Sequence, residues 1–478
     1  MPARRPARVL PVALPLALVQ CFPVSELGDC ADRSGMYAAH QVCMPLAGED
    51  IELTPNTYWI ERGDLDGQGL ENDLATLGFS DVGSRVSLVT DLGAATPRVR
   101  TTELPGKFVT AITPAPLFGG ATGQDIAAMV YGVGDPPDKL SDVQAWLNEP
   151  GKPGVALLLP NVGGELDLAG ASTRVLARLT LGDAGDEFVL SVCQRPNTVL
   201  STMVGELERP ALVMTCTNSP SADPAMPGSV DLLPDVGYVD IERMVGAQPD
   251  FFFGITDPTS WEPRASAFGD FNGDGFVDVA LAVALTKEDD LYATLKANDK
   301  VVIGFGRATG APPDSAATST VYLDQGQIAG LHAADLDGNG VAELVAVHLD
   351  GSYISVLQQT DTDSRDLAAI EAFPGEVRKP IDVAIGDFTR DGALDLAVAH
   401  FEDDGSHWLS VFVRHPDQGP HEFGYTRLPA LELDTEAEEY VIGLQALDVD
   451  DDGDLDLVAL YANDKRSWLC AYLTCPPR

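Results

Sequence analysis

The chain has 478 residues, of which 73 are acidic and only 30 are Lys or Arg, giving a formal charge of −43. A surface this negative excludes nucleic acid and anionic membrane surfaces as partners, because both are held by basic patches. Hydrophobic residues make up 45%, with glycine and proline spread along the chain, which excludes a disordered acidic tail and points to a turn-rich folded protein.

Residues 1–20 read as an export signal. Arg4, Arg5 and Arg8 precede an apolar run from Val9 to Val19, which is too short to span a bilayer core of about 30 Å. Leu18, Val19, Gln20 and Cys21 resemble a bacterial lipobox, making Cys21 the candidate for lipidation, although Gln20 stands where that pattern prefers a small residue. An ordinary cleaved signal is the alternative. Setting Cys21 aside leaves Cys30, Cys43, Cys193, Cys216, Cys470 and Cys475. An even count in an exported chain predicts disulfides. Proximity favours Cys30 with Cys43, Cys193 with Cys216, and Cys470 with Cys475, while other pairings stay open.

Residues 21–56 read as a tether with a small disulfide loop, and residues 57–478 as the folded body. The body opens on GDLDGQGLENDLATLG, where Asp64, Asp66, Gln68 and either Asn72 or Asp73 fall near cation-ligand spacing. One extra residue and a Gln at the fifth position make this the weakest candidate metal site. Next, FGGATGQDIAAMVYG keeps its glycines and Asp125 ahead of a strand but has no oxygen ligands before them, so a unit without a cation is expected. In the third unit, Glu208 to Cys216 is expected to be the strand that follows the loop, the loop itself being replaced by an insertion from Cys193. Lys139 to Asn148 alone suggests a helix period.

Four stretches then repeat one pattern: Asp270 to Asp278 (DFNGDGFVD), Asp335 to Glu343 (DLDGNGVAE), Asp387 to Asp395 (DFTRDGALD) and Asp448 to Asp456 (DVDDDGDLD). Oxygen-bearing side chains fall at positions 1, 3, 5 and 9, and glycine at position 6. Calcium takes six to eight oxygens, and alternate residues of a tightly curled loop can all aim at one point. Glycine at position 6 permits the curl by reaching positive φ without steric cost. The expected ligands are Asp270, Asn272, Asp274 and Asp278 with the Phe276 carbonyl; Asp335, Asp337, Asn339 and Glu343 with Val341; Asp387, Thr389, Asp391 and Asp395 with Ala393; and Asp448, Asp450, Asp452 and Asp456 with Asp454. Thr389 makes the third of these the weaker. An EF-hand shares the opening letters but needs Glu at position 12 between two helices. Here position 12 is Leu281, Ala346, Val398 and Ala459, and short apolar runs follow each loop, so the loops join strands.

These repeats resemble the FG-GAP or VCBS family, the units of the integrin alpha chain β-propeller. The resemblance implies a four-stranded blade per repeat, with calcium held between its first two strands. It is specific over residues 260–478, where Asp278, Glu343, Asp395 and Asp456 follow one another at intervals of 65, 52 and 61 residues. Adding Asp73, Asp125 and about Arg209 gives seven units, hence an all-β, seven-bladed propeller binding about four to five Ca²⁺ ions. Glu165 to Ala169 and Tyr238 to Ile241 leave room for an eighth blade. Closure into a ring protects the sheet edges.

Catalytic signatures are missing: there is no GxSxG, HExxH or Walker glycine loop. His348, His400 and Tyr461 recur five residues after the last ligand of their loops. They read either as a repeated structural position or as a small metal or catalytic cluster on one face. Trp408, Trp468, Tyr461 and Tyr353 read as core aromatics or as a sugar platform. The expected function is a non-enzymatic, calcium-stabilised binding or adhesion module, exported and either surface-anchored or secreted, taking a protein or glycan ligand on its face loops. Membrane attachment would come only through a lipid on Cys21. The alternative is an extracellular, lyase-like enzyme acting on polysaccharide.

Overall fold

The computed structural model describes residues 46–69, 71–94, 96–115, 123–131, 155–169, 172–174, 188–195, 198–204, 211–215, 237–240, 261–275, 278–285, 300–305, 318–322, 328–348, 353–359, 367–372, 377–402, 405–414, 424–428, 430–433, 440–463 and 465–472. Among them every regular element is a strand. No helix among these residues is long and apolar enough to cross a membrane. The export signal, Cys21, Cys30, Cys43, Cys216, Cys475, Phe276 and the 139–148 segment lie outside the described residues.

After β1 (Leu46–Leu53), the strands β2 (Thr57–Gly63), β3 (Asp73–Ser80), β4 (Gly83–Thr90) and β5 (Arg98–Pro105) pair in chain order as a first sheet. The second sheet is β6 (Phe108–Ala115), β7 (Asp125–Tyr131), β8 (Val155–Leu159) and β9 (Ser172–Arg174). The third holds β10 (Phe188–Arg195), β11 (Thr198–Val204), β12 (Ala211–Thr215) and β13 (Gly237–Asp240), in the order β11-β10-β12-β13. The fourth is β14 (Trp261–Gly269), β15 (Asp278–Leu285), β16 (Lys300–Gly304) and β17 (Thr318–Tyr322), and the fifth is β18 (Ile328–Ala334), β19 (Glu343–His348), β20 (Tyr353–Gln359) and β21 (Leu367–Ala372). The sixth contains β22 (Pro380–Gly386), β23 (Asp395–Phe401), β24 (His407–Arg414) and β25 (Tyr425–Arg427), with β26 (Leu431–Leu433) also on β24. The seventh is β27 (Tyr440–Leu447), β28 (Asp456–Ala462), β29 (Ser467–Tyr472) and, last, β1.

In six of the sheets the second strand is apolar on both faces because it is sandwiched between neighbouring sheets. β19, β23 and β28 are buried along nearly their whole length, and the hydrophobic clusters join one sheet to the next. The first strands alternate instead, with buried residues between half-buried ones. They touch one another in a circuit, β2 to β6, β11, β14, β18, β22, β27 and back to β2. Small twisted sheets closed in a ring around their first strands are the architecture of a β-propeller. In six of the sheets the first two strands carry a one-residue register shift at the equivalent place, between Thr57 and Trp59 in the first and between Val441 and Gly443 in the last. Such a bulge adds local twist. The second sheet shares it, although its loop has lost the acidic pattern.

Two expectations need correction. The boundary at residue 57 is too late: β1 falls within the supposed tether and pairs antiparallel with β29, Leu53 opposite Ser467 and Leu46 opposite Tyr472. The third unit is also built differently, because β12 is not the strand after a first-to-second loop. It lies parallel to β10, which occupies the second position behind β11. Among the described residues, 165–169 lie between β8 and β9, and 238–240 fall within β13, the outer strand of the third sheet.

Candidate metal loops at one end of the ring

Five of the loops that join a first strand to a second are shaped by one hydrogen-bond plan. The carboxylate at position 1 accepts the N–H of the position 6 glycine, at 2.7 Å for Asp270 and Gly275, 2.8 Å for Asp335 and Gly340, and 2.9 Å for Asp64, Asp387 and Asp448 with Gly69, Gly392 and Gly453. Those glycines hold φ between 83° and 88°, as the spacing predicts. The carboxylate that opens the outgoing strand accepts the N–H of position 2, between Asp278 and Phe271 at 2.9 Å, Glu343 and Leu336 at 2.7 Å, Asp395 and Phe388 at 3.0 Å, Asp456 and Val449 at 2.9 Å, and Asp73 and Leu65 at 2.8 Å. Position 2 was not legible as a functional place, yet Phe271, Leu336, Phe388, Val449 and Leu65 are all buried. Each such side chain contributes about 1.5–3 kcal/mol and pins its loop to the core.

Position 4 also adopts left-handed backbone, at Gly67, Gly273 and Gly338 but also at Arg390 (φ 56°) and Asp451 (φ 58°). A non-glycine residue there is unfavourable by about 1–2 kcal/mol. Both exceptions reach a neighbouring loop. Arg390 donates to the Asp452 carbonyl at 2.6 Å and pairs with the Asp454 carboxylate, and Asp451 accepts from Asn72 at 2.8 Å. Loop 448–456 is therefore tied to its neighbours on both sides. Elsewhere the residue before the outgoing strand donates to the position 1 carbonyl of the preceding loop, Ala342 to Asp270 at 2.8 Å and Gln124 to Asp64 at 2.5 Å.

Three loops bring three carboxylates together: Asp64, Asp66 and Asp73; Asp335, Asp337 and Glu343; Asp448, Asp450 and Asp456, with one oxygen from each lying within 4.8 Å of the others. Oxygens bound at 2.3–2.6 Å from one ion are at most about 5 Å apart, so these triads fit a calcium ion in both spacing and donor type. The first loop thus carries a full triad through Asp73, with Asn72 turned away to Asp451 and Gln68 hydrogen-bonded to Asp66. In the remaining two, position 3 is Asn272, whose amide donates to Asp274 at 3.0 Å, and Thr389, whose hydroxyl donates to Asp395 at 3.3 Å. Position 5 stands outside the triads. Asn339, Asp391 and Asp452 each accept the N–H of position 7, Val341, Ala393 and Asp454, at 2.6, 2.9 and 2.8 Å.

Crowding carboxylates in part-buried loops disfavours their charged forms. Burial, with the neighbouring Asp66 and Asp64 charges, pushes Asp73 up to about 7. Glu343 is pushed to about 7 by burial and by Asp337. Asp395 rises to about 7 through burial and Asp391, and Asp450 to about 6 through burial and Asp452. A bound dication reverses this tendency.

His348 and His400 do not form a cluster. Each is buried in its own sheet, bonded through Nε2 to a serine on the adjacent strand, Ser355 at 3.0 Å and Ser410 at 2.8 Å. Tyr461, at the matching position, bonds Tyr472 and stacks on Trp468 at 5.4 Å. Both Tyr461 and Trp468 are buried, and Arg466 lies over the Trp468 ring at 4.1 Å, so this pair is packing. Trp408 is half-buried and donates to Ser406 at 2.7 Å, while the side chain of Tyr353 lies outside the described residues. Cys193 lies in β10 and Cys470 is buried in β29. Along the ring axis, the first strands set His332 Nε2 3.3 Å from Asp382 and Trp59 Nε1 2.8 Å from Glu61. Burial, then the nearby Asp382 charge, raises Glu61 to about 7.

No protein-family profile and no curated protein matches the chain in sequence. Among solved structures it is similar to one titled "Structure of Dos1 propeller", at 9% identity and a TM-score of 0.39, over 84% of this chain and 76% of that one. A score that low adds nothing to the assignment; the β-propeller architecture is carried by the chain's own ring of sheets.

Proposed function

We propose that this chain is an exported, seven-bladed, FG-GAP-type β-propeller that is stabilised by calcium and acts as a binding module through its face loops. The observation that carries the reading is the recurrence of one carboxylate triad, within 4.8 Å, at the same place in three sheets. Oxygen-only donor sets suit a hard cation and do not suit zinc or copper. Calcium would be held by Asp64, Asp66 and Asp73, by Asp335, Asp337 and Glu343, and by Asp448, Asp450 and Asp456. Asp270, Asn272 and Asp278, and Asp387, Thr389 and Asp395, would form two sites of lower charge. When bound, the ion supplies the positive charge that lets these loops close against their own repulsion.

The binding surface is assigned to the loops because they are the solvent-facing connections of the ring, and binding residues are disproportionately carried on loops held by a scaffold. Its ligand is a protein or glycan, and the acidic surface disfavours nucleic acid. Cys21 supplies the membrane anchor if the chain is acylated there. The lyase-like alternative draws no support from His348 and His400, since each is enclosed with its own serine partner.

Elemental analysis of the purified protein, with melts in calcium and in chelator, tests the reading. Four or five calcium ions per chain and a much lower melting temperature in chelator are expected. A protein free of calcium, melting identically in both, would overturn it.

A further inference from the structure

The 335–343 loop receives a side chain from outside itself. Gln358 stands on β20, the third strand of the same sheet, and the pairing of Leu344 with Leu357 places it across from Glu343. It is 2% exposed. Its Nε2 donates to Asp337 Oδ2 at 2.9 Å and reaches Glu343 Oε1 at 3.3 Å, two of the three residues of the triad. Extending the register by one residue puts Phe305 opposite Asp278 and Val413 opposite Asp395, and neither side chain can ligate or bridge.

A buried amide has two nearly isosteric ends, one a donor and one an acceptor. The torsion that exchanges them joins sp³ to sp² carbon and is broad and roughly two-fold. Without an ion, the donor end bridges two carboxylates and offsets part of their repulsion. With an ion between those carboxylates, the same end would point its hydrogens at a cation. We propose that Gln358 is a further calcium ligand of the 335–343 loop, turning its amide so that Oε1 faces the ion. This rests on the calcium reading of that loop. Its consequence is selectivity, because an added neutral protein oxygen suits calcium's six to eight ligands and crowds magnesium, which keeps a strict octahedron and several of its waters.

The test uses the full chain, with calcium and magnesium ions as probes, and the variants Gln358→Met, which keeps the volume, and Gln358→Glu. In calorimetric titration, Gln358→Met should weaken one calcium step by roughly tenfold and narrow the preference for calcium over magnesium. In an Asp335→Asn background, which disables this loop, it should have no further effect. Gln358→Glu should melt lower than wild type in chelator and gain more on adding calcium. The inference is overturned if wild type binds calcium while Gln358→Met keeps the same affinities and the same preference, or if Gln358→Glu gains less from calcium than wild type. A wild-type chain that binds no calcium overturns the calcium reading itself, and this inference with it.

Discussion

In the fifth sheet the turn from β18 into β19 is gathered by Asp335, Asp337 and Glu343, with Gln358 bridging two of them. The second sheet also leads from β6 into β7, and of the acidic pattern its sequence keeps only Asp125 at the end. There Asn161, 4% exposed, takes over: its N–H donates to Asp125 at 2.8 Å, its Nδ2 donates to the Gln124 and Leu65 carbonyls at 2.9 and 2.5 Å, and its Oδ1 accepts from Gly164 at 2.9 Å. One neutral side chain thus secures its own sheet and the loop of the sheet before it. In the sixth sheet Arg414 does likewise, donating its side chain to the Leu336 carbonyl and its N–H to Asp395 at 2.9 Å. A join made of amides is self-sufficient. A join made of carboxylates would, on the calcium reading, draw its stability from the cation it holds.

The largest way to break this comparison is to remove the ion. A site at a hundredfold its dissociation constant contributes about 2.7 kcal/mol, so four or five together contribute on the order of 10 kcal/mol. Hydrogen exchange should then show β19 and β28 losing protection in chelator well before β7. Equal loss in all three would end the distinction.

Acid sharpens the same contrast at the other end of a sheet. His400 is buried against Ser410, with Arg427 Nη2 donating to that serine at 2.9 Å and Glu402 3.8 Å from Nδ1. Burial, then the Arg427 charge, lowers its pKa to about 4. The unfolded chain takes up the proton near 6.5 and the folded chain only near 4, so the unfolded state binds more protons between those values. Stability therefore falls as pH drops through that window, by up to about 3 kcal/mol. Urea melts of wild type and His400→Gln across pH 4–7 should diverge accordingly; parallel curves would show that this histidine is not held neutral.

Asn161→Ala comes next. Losing its bonds should cost about 2–3 kcal/mol, and most of that loss should persist in chelator. A loss that vanishes in chelator would mean that Asn161 acts only through the 64–73 loop, whose Leu65 carbonyl it holds. Arg390→Ala is expected to be smallest, about 1–2 kcal/mol, because Arg390 is half exposed while its buried partner Asp454 loses its counter-charge, and alanine keeps the same left-handed backbone. Its visible effect should be a weaker calcium step at 448–456, read by titration, with the 387–395 step unchanged.

Much of each loop was legible because its constraints are local. The glycine at position 6 and the strand opening at Asp278, Glu343, Asp395 and Asp456 follow from nine consecutive residues. The plain sequence did not disclose Leu65, Phe271 or Val449 as anchors, since an apolar residue between acids acquires meaning only from the core beneath it. Gln358 and Asn161 come from later strands, and their roles depend on register. The first loop read as the weakest because of its extra residue, yet that insertion places Asp73 in the triad and frees Asn72 to reach Asp451. The third sheet was misread because its order departs from its chain sequence: a parallel neighbour such as β12 leaves no periodic mark of its own.

The pairing of β1 with β29 has a consequence for how fast the molecule can be made. The Thr57 N–H donates to Ser467 Oγ across a sequence separation of 410, and Leu53 must find the same serine. The entropy of closing a loop grows only logarithmically with its length, but contacts between such distant residues are slow to nucleate. The seventh sheet is thereby the last to be completed during synthesis. Until that final strand emerges, the edge of β1 waits unpartnered, and the ring stays open at a single, known seam.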